Sequence, residues 1–432
     1  MKASLHTLGC RLNQAETAII AKSLKESGYQ IVEFGEPADL TIINTCTVTE
    51  QADAKCRQAV RKTLRKNSNT FIAVVGCYAQ MAVDTIRQID GVDLIVGNEH
   101  KIQLVNYLDG LNKKDKPLII HSPKISRGDF SIETVGLYDN ATRANLKIQD
   151  GCNFVCSFCI IPTARGPVRS RKLDNIMHEA QQLINMGHQE LVLTGVNIGT
   201  YDSDSRTIVD VIYNLSKING LRRLRISSIE PTTIPEELVH MIADTDIICK
   251  HLHIPLQSGD DSILRSMRRR YTSTEYAEFI EFVTQTVPDI GIGTDVMVGF
   301  PGETDASFVN TKKFLADLPV SYYHVFTYSD RKGTGSNRMT GKVDHHTKKT
   351  RTRILIEQGT RKKRTFYERY IGKVCDVLFE QKIENGNWAG YSSNYMNVEV
   401  RTERDLHNKI EPVRIVESDG RALRGELINQ EA

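Results

Sequence analysis

Nowhere in its 432 residues does this chain approach the ~20 consecutive apolar residues of a membrane-spanning helix, which excludes a helical membrane protein. Its start, Met-Lys-Ala-Ser-Leu-His, lacks the apolar run of a secretory signal. A cytoplasmic protein with no membrane partner is expected. An excess of either charge sign is also lacking, with 56 Lys and Arg against 53 Asp and Glu. The net charge is +3, so whole-chain electrostatics does not announce a nucleic-acid binder. Internal repeats are absent, which excludes a solenoid, and no low-complexity segment is long enough to matter. The 12 histidines show no metal-ligand spacing, and His345-His346 reads as a solvated helix start.

What is present is room and thiols. The length suits about three domains. Nine cysteines without a secretory signal argue for a reducing compartment and for metal rather than disulfides. Three of them form the run Cys152-x-x-x-Cys156-x-x-Cys159, opened by Asp150-Gly151. Three thiolates this close can hold three corners of a [4Fe–4S] cluster, whose usual complement is four. One iron is then open to a further ligand. A zinc site would need a second cysteine pair or a histidine partner further on, and none follows. With Phe158 between its last two cysteines, the run resembles the radical S-adenosylmethionine (SAM) signature. That resemblance implies that the open iron chelates SAM and that Phe158 lies near its adenine.

The first hundred residues alternate apolar runs (4–8, 40–44, 71–75) with helical patterns (17–27, 53–66). This spacing predicts an α/β domain with an open parallel sheet. A cysteine follows each run: Cys10, Cys46 and Cys77. Parallel strands end along one edge, where ligands bind in open α/β sheets, so these three converge. Singly each reads as an ordinary buried cysteine; together they read as a second three-thiolate site. Cys56, Cys249 and Cys375 read as structural thiols.

Residues 112–139 lose periodicity and read as a linker between a 1–111 domain and a 140–368 core. Strands beginning near Leu146, Glu190, Arg222, His251, Gly291 and Ser321, with helices between, predict a partial (βα)6 barrel of the TIM type. One helix spans 174–186, opened by a capping Asp174 and closed by Gly187. A basic helix covers 345–370. Alternating segments at 374–379, 388–392, 397–401 and 413–417, with Asn385-Gly386 and Asp419-Gly420 turns, predict a small antiparallel β-barrel over 369–432.

Along essentially its whole length the chain resembles the radical SAM methylthiotransferases. The motifs are Thr7-Leu8-Gly9-Cys10-Arg11-Leu12-Asn13, Asn44-Thr45-Cys46, Val75-Gly76-Cys77-Tyr78, Ile161-Pro162-Thr163-Ala164-Arg165-Gly166 and His253-Ile254-Pro255-Leu256-Gln257-Ser258-Gly259. The C-terminal strands resemble the TRAM RNA-binding domain. One branch of the family reads Gly-Cys-Gln-Met-Asn and acts on isopentenyl-adenosine in tRNA. Another reads Gly-Cys-Pro-Lys-Asn and acts on a ribosomal-protein aspartate. Gly9-Cys10-Arg11-Leu12-Asn13, with Arg169-Ser170-Arg171, resembles the branch that methylthiolates N6-threonylcarbamoyladenosine at position 37 of tRNA.

The resemblance implies two [4Fe–4S] clusters: one on Cys152, Cys156 and Cys159 that cleaves SAM, and an auxiliary one on Cys10, Cys46 and Cys77 that carries sulfide or polysulfide. Two SAM molecules are spent per turnover, and a low-potential donor such as flavodoxin or ferredoxin supplies electrons. Strand-end positions offer Asn197, Glu230, Gln257 and Val298 to SAM, Glu230 to its ribose and Val298 to its adenine. Arg165, Arg169, Arg171, Arg268, Arg269 and Arg270 are expected at the active-site mouth, pairing with tRNA phosphates or the substrate carboxylate. Tyr391, Asn394 and Tyr395 are expected to meet unstacked anticodon-loop bases. The rival readings are methylthiolation of a protein side chain and an RNA-binding protein whose clusters are structural or redox-sensing.

Overall fold

The computed structural model describes residues 1–113, 115–138 and 141–428. The chain begins with an all-parallel sheet of six strands: β1 (Lys2–Thr7), β2 (Gln30–Val32), β3 (Leu40–Thr45), β4 (Phe71–Gly76), β5 (Leu94–Val96) and β6 (Leu118–Ile120), in the order β2-β1-β3-β4-β5-β6. Strands β3 and β4 are buried throughout. Their unbroken apolar runs suit a sheet covered on both faces. Strand β6 falls within the stretch read as linker; it extends the first sheet instead.

Helices α1 (Arg11–Glu26) and α2 (Glu50–Lys66) cover this sheet and start earlier than their apolar periodicity. The first turns of α1 bury polar Asn13 and Glu16, so hydropathy does not reveal them. Thr49 caps α2, its side chain accepting from Ala52 N. A short helix, α3 (Cys77–Met81), starts at the third cysteine.

The central barrel contains β7 (Arg143–Lys147), β8 (Glu190–Thr194), β9 (Arg223–Ile226), β10 (His251–His253), β11 (Gly291–Val298) and β12 (Tyr322–Thr327). They form two parallel three-stranded sheets, joined where Leu224 bridges Ile248 and Ser228 bridges His253. The result is an open six-stranded barrel around one apolar core. Helix α4 (Ile161–Arg165) follows the cysteine run, and α5 (Leu173–Asn185) fits the predicted helix. Its N-cap is Lys172; Asp174 sits in the first turn, fully exposed, so the expected cap is corrected.

Helix α6 (His345–Glu368) is capped by Asp344, which accepts from Thr347 N at 3.0 Å. It leads to a closed barrel of β13 (Val374–Lys382), β14 (Trp388–Ser392), β15 (Asn397–Val400), β16 (Ile410–Ser418) and β17 (Leu423–Leu427). Closure comes from β17, which the sequence reading missed. It pairs parallel with β15, and every other pairing in the barrel is antiparallel. No helix of the described residues is long and apolar enough to cross a membrane.

Candidate active site

Strands β1, β3 and β4 are neighbours, and a cysteine follows each. Cys10 is the N-cap of α1 and makes no capping bond through its side chain, so its sulfur is free at the positive end of the helix. Gly9 is left-handed (φ +105°), and a Cβ there would stand 2.6 Å from Cys46 Cβ. Only glycine lets the two loops approach so closely. Burial pushes the Cys46 thiol up to about 11, and neighbouring Cys77 and Cys10 add to the rise. Asn98 Nδ2 stands 3.6 Å from Cys77 Sγ.

The second set follows β7. Gly151 (φ +72°) passes so close to Pro167 that a Cβ would lie 1.9 Å from its carbonyl oxygen. Gln149 staples this loop: Nε2 donates to Asp150 O (3.0 Å) and Gly151 O (2.7 Å), while Oε1 accepts from Val196 N and Asn197 N. Phe154 N lies 3.3 Å from Cys152 Sγ, and Arg269 Nη1 lies 3.4 Å from Cys156 Sγ. Burial pushes Cys159 up to about 12, with Cys156 and Cys152 adding to it.

A buried ion network joins the two sets. Glu16 on α1 accepts from Lys101 (2.5 Å), Lys147 (2.8 Å) and Arg165 (3.0 and 3.1 Å). Asp150 accepts from Lys147 (2.7 Å) and Arg165 (3.0 Å). Burial alone would raise both carboxyls, but these cations hold them well below the ordinary range. Asn13 donates to Leu8 O and Thr45 O and accepts from Arg165. Asn98 donates to Ala164 O (2.6 Å) and accepts from Lys101. Both amides thus tie the first cysteine loops to the helix after Cys159.

Six soft thiol donors in two triads, each with a nearby N–H directed at a sulfur, suit iron–sulfur ligation. Among the described residues no three His, Cys, Asp or Glu side chains converge on one metal ion. Cluster thiolates each meet their own iron and need no such common point.

Residues 2–97 match a model described as Uncharacterized protein family UPF0004, and residues 146–315 match the Radical SAM superfamily. Threonylcarbamoyladenosine tRNA methylthiotransferase MtaB of Bacillus subtilis is 37% identical over 427 residues, 96% of this chain and 94% of that protein. Its namesake from Aquifex aeolicus is 39% identical over 88% of this chain and 92% of its own. The chain belongs to the radical SAM tRNA methylthiotransferases. The tRNA-2-methylthio-N(6)-dimethylallyladenosine synthase of Clostridium botulinum (strain Loch Maree / Type A3) is 32% identical over 98% of this chain and 96% of its own. At the level of fold alone, a radical SAM methyltransferase of Kitasatospora setae, TsrM, matches with a TM-score of 0.57 at 13% identity, over 75% of this chain and 72% of its own.

In this methylthiotransferase Phe158 packs in an apolar cluster with Met267, Phe300 and Tyr328. Asn197 is buried; its Oδ1 accepts from Glu230 N and Thr233 Oγ1, and its Nδ2 is an orphaned donor. Gln257 has a left-handed backbone (φ +71°) pinned between Asp295 O and Met297 N, and Val298 is buried. Glu230 is bound by Arg269.

The arginine expectations need correction. Arg165 and Arg171 are completely enclosed, Arg165 in the ion network and Arg171 between Glu179 and Asn175. Burial of a charge demands such partners, and neither is free for phosphate. Arg169 lies 3.5 Å from Asp150 and largely buried. Arg269 is also enclosed, holding Glu230 and facing Cys156. Arg268 and Arg270 stay exposed by the cysteine loop, Arg270 over Phe154 at 4.7 Å.

Asn394 is buried at the barrel junction, donating to Asp289 O and Tyr370 Oη, and is not open to bases. Tyr391 and Tyr395 stack on each other at 4.9 Å. Tyr395 then enters the central barrel, where Arg11 Nη2 donates to its hydroxyl at 2.6 Å. Cys56 and Cys249 are buried, and burial pushes their thiols up to about 12 and about 11. Sequence reasoning missed Asn13, Glu16, Asn98 and Gln149; each is a polar residue inside a buried segment beside a cysteine loop.

Proposed function

We propose that this enzyme converts N6-threonylcarbamoyladenosine at position 37 of tRNA to its 2-methylthio derivative. The observation that carries this reading is the shared scaffold of the two cysteine triads, joined by Asn13, Glu16 and Arg165. When bound, a cluster on Cys152, Cys156 and Cys159 supplies reductive SAM cleavage, and a second on Cys10, Cys46 and Cys77 supplies the sulfur. The protein's part is binding, orientation and tuning.

Arg269 directs an N–H at Cys156 Sγ and braces Glu230. The orphaned Asn197 Nδ2 is a donor for a SAM oxygen. Exposed Arg268 and Arg270 give tRNA phosphates a landing point beside the loop. Two SAM molecules per turnover, sulfide or polysulfide on the auxiliary cluster and a flavodoxin- or ferredoxin-type donor complete the reaction. A tRNA substrate implies a cytoplasmic reaction.

The substrate assignment draws on the higher identity to the threonylcarbamoyladenosine enzymes than to the dimethylallyladenosine synthase, and on Arg11 in the first cysteine motif. Nucleosides from cells lacking and then regaining the gene test it by mass spectrometry. The methylthio derivative of threonylcarbamoyladenosine should vanish and return; restoration of only the isopentenyl-adenosine product would reject it.

A further inference from the structure

Inside the central barrel a cavity of about 300 Å³ runs between Cys10 and Tyr395, with Arg11, Ser228, His253 and Tyr322 on its wall. Its far end comes from the C-terminal barrel. Tyr395 is held left-handed (φ +69°), and the neighbouring Asn394 carbonyl lies where a Cβ on Gly291 would approach to 2.2 Å.

Positive charge collects at this end. The guanidiniums of Arg225, Arg11 and Arg143 lie 5.0, 5.7 and 5.8 Å from the Tyr395 ring centroid. Glu190 pairs with Arg225 at 2.6 and 3.1 Å and lies 4.0 Å from Arg223. Glu380 pairs with Arg143 at 2.5 and 3.2 Å. Arg225, Arg223 and Arg143 thus share Glu190 and Glu380, with Asp376 also near Arg223, while Asp295 stands 3.2 Å from His253 on the cavity wall. Arg143 Nη1 is buried without a partner. Among the described residues no carboxylate pairs with Arg11; its partner is the Tyr395 hydroxyl, whose pKa burial raises but Arg11, Arg143 and Arg225 bring below the ordinary value. The excess shows elsewhere: burial and then Arg225 hold His251 well below its ordinary range.

A half-buried cation without an anion, on the wall of a cavity that also reaches Cys10, calls for a ligand carrying negative charge. We propose that Arg11 binds the carboxylate of the N6-threonylcarbamoyl group and so selects that substrate over adenosines bearing a neutral hydrocarbon there. The inference rests on the substrate reading above. A guanidinium matches a carboxylate in shape and charge. A hydrocarbon substituent would leave Arg11 unanswered, and a site built for a polar group rejects analogues lacking it. Arg11 directly follows Cys10, so selection occurs one residue from the loop expected to present sulfur.

The test uses the reconstituted enzyme, dithionite, SAM and two anticodon stem–loop RNAs: one carrying threonylcarbamoyladenosine, the other its methyl ester. Wild type should prefer the acid in kcat/KM by roughly 10- to 100-fold, the range of a charge-assisted hydrogen bond. In Arg11→Gln the preference should fall to about one, and Arg11→Lys should keep part of it. A ratio within one variant is insensitive to general loss of activity. Should Arg11→Gln be inactive, the ratio of Kd values for the two RNAs carries the same information. An unchanged ratio in Arg11→Gln would overturn the proposal. Equal losses on acid and ester would reassign Arg11 to a phosphate and overturn it too. Failure of wild type to modify the acid would instead sink the substrate reading, and is seen before any variant is made.

Discussion

Arg165 Nη2 lies 2.6 Å from Asn13 Oδ1, across the junction between the first sheet and the central barrel. Through this contact the helix after Cys159 is bonded to the residue that also holds the Cys10 and Cys46 loops. Replacing Arg165 by Leu would leave Glu16 and Asp150 buried with fewer cations. The expected cost is about 3–5 kcal/mol, as for a broken buried ion pair. Both clusters should give altered electron paramagnetic resonance signals although Arg165 ligates neither. Arg165→Lys should recover less than half of the loss, because one ammonium cannot reach Asn13 and both carboxylates.

The same network sets a pH dependence. Burial raises the Glu16 carboxyl, but Arg165, Lys101 and Lys147 bring it well below the ordinary value of 4.5. The folded-state value is the lower one, so the unfolded chain takes up the proton first. Stability from Glu16 is therefore complete above that ordinary value and is lost as pH falls through the folded value. Denaturation midpoints should be flat in this contribution between about pH 7 and 5.5 and drop below about 4.5. Glu16→Gln should remove that part of the acid slope while lowering stability at neutral pH.

The two cysteine triads should separate genetically. Alanine at Cys10, Cys46 and Cys77 together should leave about half of the iron and preserve cleavage of SAM to 5′-deoxyadenosine, with no methylthio product. Alanine at Cys152, Cys156 and Cys159 should abolish cleavage. Iron analysis and chromatography of the nucleoside products read both outcomes. Full iron in the first variant would refute the second site.

Glu230 is held by Arg269, whose other nitrogen faces Cys156. Glu230→Ala should weaken SAM binding by roughly tenfold, the size of one charged hydrogen bond, as measured by calorimetry. Arg269→Ala should do the same and also shift the reduction potential of the adjacent cluster, since an N–H to a ligand sulfur tunes it. An unshifted potential would mean that this contact does not act on the metal.

Asn394 belongs to the barrel junction through Asp289 and Tyr370. Asn394→Ala should cost about 1–3 kcal/mol in thermal unfolding, with tRNA affinity falling no more than twofold at a temperature where the protein is folded. A large loss of affinity there would restore the direct base contact that the sequence suggested.

The strands and cysteine loops were legible because their signals are local: buried runs such as Leu40–Thr45 and Phe71–Gly76, each followed by a cysteine. The arginines were misread because a sequence shows charge and not its partner. Arg165 and Arg171 look like phosphate hooks until Glu16, 149 residues from Arg165, and Glu179 are found against them. Strand β17 escaped because Leu423–Leu427 holds two charged residues and a glycine in five positions. The turns of α1 escaped because Asn13 is buried by hydrogen bonding and Glu16 by ion pairing rather than by hydropathy.

Tyr395 belongs to the C-terminal barrel by chain position and to the central cavity by location. The barrel is consequently not a detachable grip. A chimera that took its barrel from a relative would import the far end of another enzyme's cavity. On the proposal that Arg11 reads the N6 substituent, a new preference would require redesigning position 395 together with position 11, two residues separated by nearly the whole polypeptide.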